Sequence, residues 1–117
     1  MRSDTSYETI LFEAYDHIAV ITLNRPEVLN AVNSQLCKEV GQALEFIAKD
    51  TSIRVVIITG AGSTSFCAGA DLKEGRPARN MVMQRRDLTL GARMIRAITE
   101  IHQVTIAAIH GVALGGG

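Results

Sequence analysis

Residues Arg54–Glu74 read "RVVIITGAGSTSFCAGADLKE", and the opening of this stretch decides the fold. Arg54 to Gly60 is a continuous apolar run ending in glycine, the pattern of a strand buried on both faces. A long loop of small residues follows, of the kind that brings backbone close to a ligand.

Upstream, "YETILFEAY" (Tyr7 to Tyr15) and "IAVITLN" (Ile18 to Asn24) are rich in β-branched and aromatic residues. Asp16 and His17 between them suit a tight hairpin, so two antiparallel strands are expected, with His17 a turn residue rather than a ligand. Pro26 in "RPEVLNAVNS" breaks the pattern, and either Asn33 or Ser34 can cap the helix that follows. Leu36, Val40, Ala43, Leu44 and Ile47 recur at helical spacing, with Lys38, Glu39, Gln42, Glu45 and Lys49 on the other side. Downstream, a helix over about Ala78 to Ile101 carries an apolar stripe of Leu88, Ala92, Ile95, Ile98 and Ile101, with Met81, Met83 and Met94 as packing. "TIAAIH" (Thr105 to His110) repeats the earlier design, a short buried strand running into glycines. Strands alternating with helices make the class α/β.

A chain of 117 residues suits one domain, which buries roughly two-thirds of the unfolded surface. Twelve basic side chains balance twelve acidic ones, so composition argues against nucleic acid as a partner. Locally the balance fails. Lys73, Arg76, Arg79, Arg85, Arg86, Arg93 and Arg96 face only Glu74 and Asp87, which reads either as a solvated helix face or as a mouth for an anionic ligand. Cys37 and Cys67 are too few for a disulfide framework and lack zinc spacing, so a reducing compartment is the default. "MRSDTSYETI" has no apolar signal core and no run reaches the length of a membrane span, which makes cytoplasm the simplest address.

"GAGSTS" (Gly60 to Ser65) follows a strand, where a nucleotide loop could sit, but neither the phosphate-loop lysine nor the third glycine of the dinucleotide pattern is present. Cys67 is better read as a small neutral filler than as a nucleophile, because no base is assigned to it. His110 reads as a structural hydrogen-bonding residue in the absence of any triad order. What remains is "CAGAD" and "ALGGG", two loops that expose backbone N–H groups between small side chains. Two such donors converging on one carbonyl oxygen make an oxyanion hole. The plainer alternative is a pair of tight turns.

"ITLNRPEVLNAVN" (Ile21 to Asn33), "RVVIITGAGSTSFCAGADLKE" and "TIAAIHGVALGGG" (Thr105 to Gly117), in this order and spacing, resemble the N-terminal half of an enoyl-CoA hydratase of the crotonase family. The resemblance runs from about Ile18 to Gly117 and implies a crotonase-like fold of repeated β-β-α units, incomplete in this chain. It implies oxyanion donors at the backbone N–H groups of Ala70 and Gly116, and a coenzyme A site lined by Ala68, Ala70, Asp71, Leu72, Lys73 and Gly116, with Leu29 and Ala31 close by. Lys73 and the arginines after it also suit a phosphate-bearing ligand on charge alone. The implied substrate is an acyl-CoA, with no separate cofactor, since coenzyme A is part of the thioester, and no metal. The implied assembly is a homo-oligomer, a trimer or dimer of trimers.

One departure from the family pattern is local: Gln103 and Val104 stand where a Lys-Pro pair is usual, which predicts a less rigid entry to the final strand. The other is one of extent. The family's acid and base carboxylates follow the triple glycine, and the final apolar strand lacks a covering helix, so residues 1–117 are expected to be the N-terminal part of a single domain, truncated after the turn and inactive alone. Three functions stay open: reversible hydration of a 2-enoyl-CoA, another reaction of the same enolate such as double-bond isomerisation, and non-catalytic binding of acyl-CoA or a partner.

Overall fold

The computed structural model describes residues 2–4, 6–73 and 81–117, the side chains of 2, 3 and 81–88 excepted. Its main sheet has five strands in the order β1-β2-β3-β4-β6: β1 (Arg2–Asp4), β2 (Ile10–Tyr15), β3 (Ile18–Leu23), β4 (Val55–Gly60) and β6 (Val104–Ala107). β1, β2 and β3 pair antiparallel, whereas β4 joins β3, and β6 joins β4, in parallel. A second sheet pairs β5 (Ser65–Cys67) with β7 (Val112–Ala113), also in parallel. Parallel neighbours require crossovers. The helix α1 (Ser34–Lys49) makes one between β3 and β4, and α2 (Met81–Glu100) lies between β5 and β6.

The expected hairpin forms. Tyr15 stands opposite Ile18, and the connecting Asp16 adopts φ of +50°, a left-handed conformation that aspartate tolerates. Pairing extends one step past the strands through the Asn24 N–H, which donates to the Thr9 carbonyl at 2.8 Å. Of the two candidate caps, Asn33 starts α1: its side-chain oxygen accepts from the Leu36 N–H at 2.9 Å.

The core forms between the sheet and α1. Ile10, Phe12, Ala14, Ala19, Ile21, Leu23, Val56 and Ile58 of the strands meet Leu36, Val40, Ala43, Leu44 and Ile47 of α1. Each strand contributes alternate residues, because successive side chains point to opposite faces. The second helix adds Met94, with Leu90, Ala97, Ile98 and Ile101 partly buried beside it.

Four expectations need correction. β4 is buried on one face only: Val56 and Ile58 are enclosed while Val55, Ile57 and Thr59 are half-buried, since both helices serve the same core. β6 is an exposed edge strand: among the described residues it pairs with β4 alone in the main sheet, and Val104 and Ile106 are 62% and 47% accessible because little covers its faces. The packed stripe of α2 is Leu90, Met94, Ala97 and Ile98, with Ile101 just past its end, and it leaves Ala92 and Ile95 exposed. Apolar residues lie on two faces of this helix, and contact with α1 selects between them. Leu88 is beyond the described side chains, as are Met81 and Met83, and residues 78–80 lie outside the described residues.

The fourth correction is Glu39, grouped by sequence with the solvent-facing side of α1 but only 3% exposed. Its carboxylate accepts from the Glu8 N–H at 2.9 Å, the Thr9 N–H at 2.6 Å, the Thr9 hydroxyl at 2.5 Å and the Gln35 amide at 3.1 Å. Burial alone would raise this carboxyl, but the Thr9 hydroxyl and the Glu8 and Thr9 N–H groups, helped by Gln35, hold it below the usual glutamate range. The charge fastens the segment entering β2 to α1.

The unusual entry to β6 is anchored twice. The Gln103 amide donates to the Ile47 carbonyl at 2.9 Å, near the end of α1, and the Val104 N–H donates to the Arg54 carbonyl at 3.1 Å. A proline at 104 has no N–H and could not make the second bond.

Candidate functional site

The loop after β4 is not all loop. Ser65–Cys67 forms β5, and because it runs parallel to β7, the segments that leave the two strands emerge side by side. The Leu114 N–H donates to the Cys67 carbonyl at 3.1 Å, and the Gly117 N–H closes a turn on the Leu114 carbonyl at 2.8 Å. Gly69, at φ of +89°, lies so close that a methyl group there would sit 2.6 Å from the Leu114 carbonyl oxygen. Only glycine accommodates both that φ and that approach. The structure thus brings "CAGAD" and "ALGGG" into direct contact.

The direction of the Ala70 N–H follows from its neighbours. Val32 and Ala70 form an isolated parallel bridge, in which the Val32 N–H donates to the Gly69 carbonyl at 2.7 Å and the Asp71 N–H donates to the Val32 carbonyl at 2.8 Å. The Gly69 carbonyl and the Ala70 N–H belong to one planar trans peptide and point in opposite directions. The Ala70 N–H therefore points away from Val32. Among the described residues it has no hydrogen-bond acceptor, and neither has the Gly116 N–H. Ala70 and Gly116 are exposed, and a methyl group built on Gly116 would meet nothing within 4 Å. Two unpaired backbone donors on adjoining exposed loops can stabilise charge on a ligand oxygen.

The remaining expected site residues cluster here by backbone contact. The Leu29 carbonyl accepts from the Ala68 N–H at 3.0 Å and from the Ser65 hydroxyl at 2.8 Å. Leu29 has φ of +58° and a half-exposed side chain, and Leu72 is exposed. Ala31 is buried, and its carbonyl is occupied by Arg25. Asp71 holds Arg25 with one oxygen at 3.0 Å and accepts the Lys73 N–H with the other at 2.9 Å. It is thus a structural carboxylate, unsuited to moving protons.

The basic segment divides. Lys73 is exposed beside the site, whereas Arg93 and Arg96 are exposed on α2, where Arg96 approaches Glu100 at 4.0 Å as part of a solvated helix face. Glu74, Arg76 and Arg79 lie outside the described residues, as do the side chains of Arg85, Arg86 and Asp87. His110 Nε2 lies 2.9 Å from the Gly62 carbonyl, and His17 Nδ1 lies 2.7 Å from the Ser52 carbonyl, both structural bonds. Burial pushes the Cys67 thiol up, against a smaller opposing effect of the Gly69 N–H, so it stays a neutral filler. Cys37 is likewise buried in the core. A cavity of about 530 Å³ opens between α1 and α2; Cys37 and Arg93 line it beside Gly41, Leu44 and Met94, but no residue of the two glycine loops does. Among the described residues no cluster of His, Cys, Asp or Glu could hold a metal ion, and no helix is long and apolar enough to cross a membrane.

Sequence reasoning missed the residues that assemble the site. Asn30 is fully buried at φ of +59°; its side-chain oxygen accepts the Arg25 N–H at 2.9 Å, and its amide donates to the Ala61 and Ser65 carbonyls at 2.9 and 3.1 Å. The signal available was an asparagine in a turn after Pro26–Val28, a short 3-10 helix, since asparagine tolerates the left-handed region. Arg25 gave no such signal, because its ionic partner Asp71 lies far from it in sequence.

Comparison with known proteins bears on the family and the fold. The sequence profile described as enoyl-CoA hydratase/isomerase matches residues 13–117. The short-chain-enoyl-CoA hydratase of Clostridium acetobutylicum is 40% identical over 108 residues, covering 92% of this chain and 41% of the relative. The crotonyl-CoA hydratase of Syntrophomonas wolfei is 37% identical over 114 residues, covering 96% of this chain and 43% of the relative. The crystal structure of an enoyl-CoA hydratase from Bacillus anthracis superposes with a TM-score of 0.88 at 39% identity, covering 94% of this chain and 43% of that one. The chain therefore spans well under half the length of the relatives it matches.

Proposed function

The chain belongs to the enoyl-CoA hydratase/isomerase family, and from that premise we propose that it supplies the thioester-binding half of a hydratase that adds water reversibly across the 2,3-double bond of an enoyl-CoA. The observation that carries this reading is the meeting of two glycine loops whose Ala70 and Gly116 N–H groups have no acceptor among the described residues. In the proposed reaction the thioester oxygen sits between these donors. As water adds at C3, electron density moves through C2 and the carbonyl carbon onto that oxygen, and both hydrogen bonds strengthen as the enolate forms. The enolate then collapses and C2 takes a proton. The proton transfers fall to carboxylates other than Asp71, which is tied to Arg25.

Exposed Lys73 is assigned to the coenzyme phosphates, and exposed Leu29 and Leu72 to its apolar contacts. No separate cofactor enters the scheme. Family membership also suggests a homo-oligomer, a trimer or dimer of trimers, and a place in cytoplasmic fatty-acid metabolism. The same enolate supports double-bond isomerisation, which the family description covers equally.

The test is to give the intact protein a short 2-enoyl-CoA and identify the product by mass and chromatography. A 3-hydroxyacyl-CoA is expected. A shifted double bond without water uptake makes the enzyme an isomerase, and binding without either product leaves a non-catalytic acyl-CoA protein.

A further inference from the structure

Arg25 lies between β3 and the turn at Pro26–Val28, with its side chain 15% exposed and that of its partner Asp71 12% exposed. Nη1 donates to the Ala31 carbonyl at 2.6 Å and Nη2 donates to Asp71 Oδ2 at 3.0 Å. Ala31 and Asp71 adjoin the two members of the Val32–Ala70 bridge. A planar guanidinium offers its donors in a fixed fork, so it sets the spacing of both segments at once.

The bond to Ala31 has a further consequence. The Ala31 carbonyl and the Val32 N–H belong to one peptide unit, and that N–H donates to the Gly69 carbonyl at 2.7 Å. The Gly69 carbonyl and the Ala70 N–H belong to the next. The hydrogen bonds therefore run in series: guanidinium to Ala31 carbonyl, Val32 N–H to Gly69 carbonyl, Ala70 N–H to the ligand. In such a chain each bond polarises the next, and a cation at the head makes the terminal N–H a better donor.

We propose that Arg25 is a positioning residue that aims and polarises the Ala70 N–H through two successive peptide units. The inference rests on the assignment of Ala70 as an oxyanion donor. Arg25 contacts no substrate; it acts through Ala31, Val32 and Gly69. Asp71 completes the clamp by pairing with the part-buried guanidinium while its other prong holds the Ala31 carbonyl.

The test reads the carbonyl directly. A poorly reactive acyl-CoA, isotopically labelled at the thioester carbonyl, is bound to intact wild-type protein and to Arg25→Gln, and its stretching frequency is recorded by difference infrared spectroscopy. Wild type should lower the frequency below that of the free ligand, and Arg25→Gln should recover much of that shift. In turnover, kcat should fall about tenfold to a hundredfold, with KM within a few-fold of wild type. A purely structural arginine would lower the denaturation midpoint and leave the frequency in folded protein unchanged, which overturns the proposal. No shift in wild type instead removes the oxyanion assignment on which it rests. If Arg25→Gln does not fold, Arg25→Lys gives the same reading, because lysine keeps the charge but lacks the two-pronged fork: a wild-type frequency and kcat in Arg25→Lys overturn the proposal, and an intermediate frequency supports it.

Discussion

Residues 24–71 and residues 104–117 each contain an apolar strand that runs into small residues, yet they treat polarity in opposite ways. The first region buries polar groups: Asn30, Glu39 and Ser65 are all below 4% exposed, and each is hydrogen-bonded to a distant segment. The second exposes apolar ones, with Val104, Ile109 and Leu114 all above 55% accessible. Hydrophobicity therefore does not decide which glycine loop is held firmly. The first is fastened by Asn30, Arg25 and the Val32 bridge, while the second leans on the first through Leu114 and Cys67.

If that contrast is right, the largest stability effect belongs to a charged residue in the first region. Glu39→Gln replaces an acceptor-only carboxylate with an amide facing several donors, at a cost of about 3 kcal/mol. The folded carboxyl titrates below its ordinary range, so its contribution is complete above the unfolded glutamate value and disappears as pH falls through the folded one. Denaturant midpoints of variant and wild type should be well separated at neutral pH and approach each other in acid. A separation unchanged by acid contradicts the assignment.

Gly69→Ala, at the contact between the regions, comes next. A methyl group at φ of +89° and 2.6 Å from the Leu114 oxygen forces the loops apart, for about 2 kcal/mol of backbone strain. In the intact protein kcat should fall more than the stability loss suggests, because Gly116 moves away from Ala70. A variant with wild-type kcat would show that the two loops need not touch.

The smallest effect belongs to Gly116→Ala. Nothing lies within 4 Å of the added methyl group and no positive φ is required, so stability should change by less than about 0.5 kcal/mol. A large loss in a melting experiment would mean that residues 104–117 are more tightly held than their exposure indicates.

Much of this was readable in the chain. The hairpin, a helix cap at Asn33 or Ser34, the apolar stripe of α1 and the two glycine loops all follow from local pattern, because turn and cap residues and spacing of three, four or two residues report locally; the structure chose Asn33. Glu39 escaped that logic: its burial depends on donors from Glu8 and Thr9, some thirty residues away. Arg25 and Asp71 likewise meet only in three dimensions. The exposed edge at β6 misled in the opposite sense, since an apolar run reports what a strand could bury and not whether anything covers it.

The central claim is that the Ala70 N–H stabilises the thioester enolate, and kcat of Ala70→Pro beside Ala70→Gly in the intact protein tests it most directly. Glycine keeps the N–H, whereas proline deletes it. Once circular dichroism shows both variants folded, Ala70→Gly should stay close to wild type and Ala70→Pro should lose about 10²–10³ in kcat, roughly 3–4 kcal/mol. Folded Ala70→Pro protein with kcat within a few-fold of wild type would contradict the claim and leave "CAGAD" a turn.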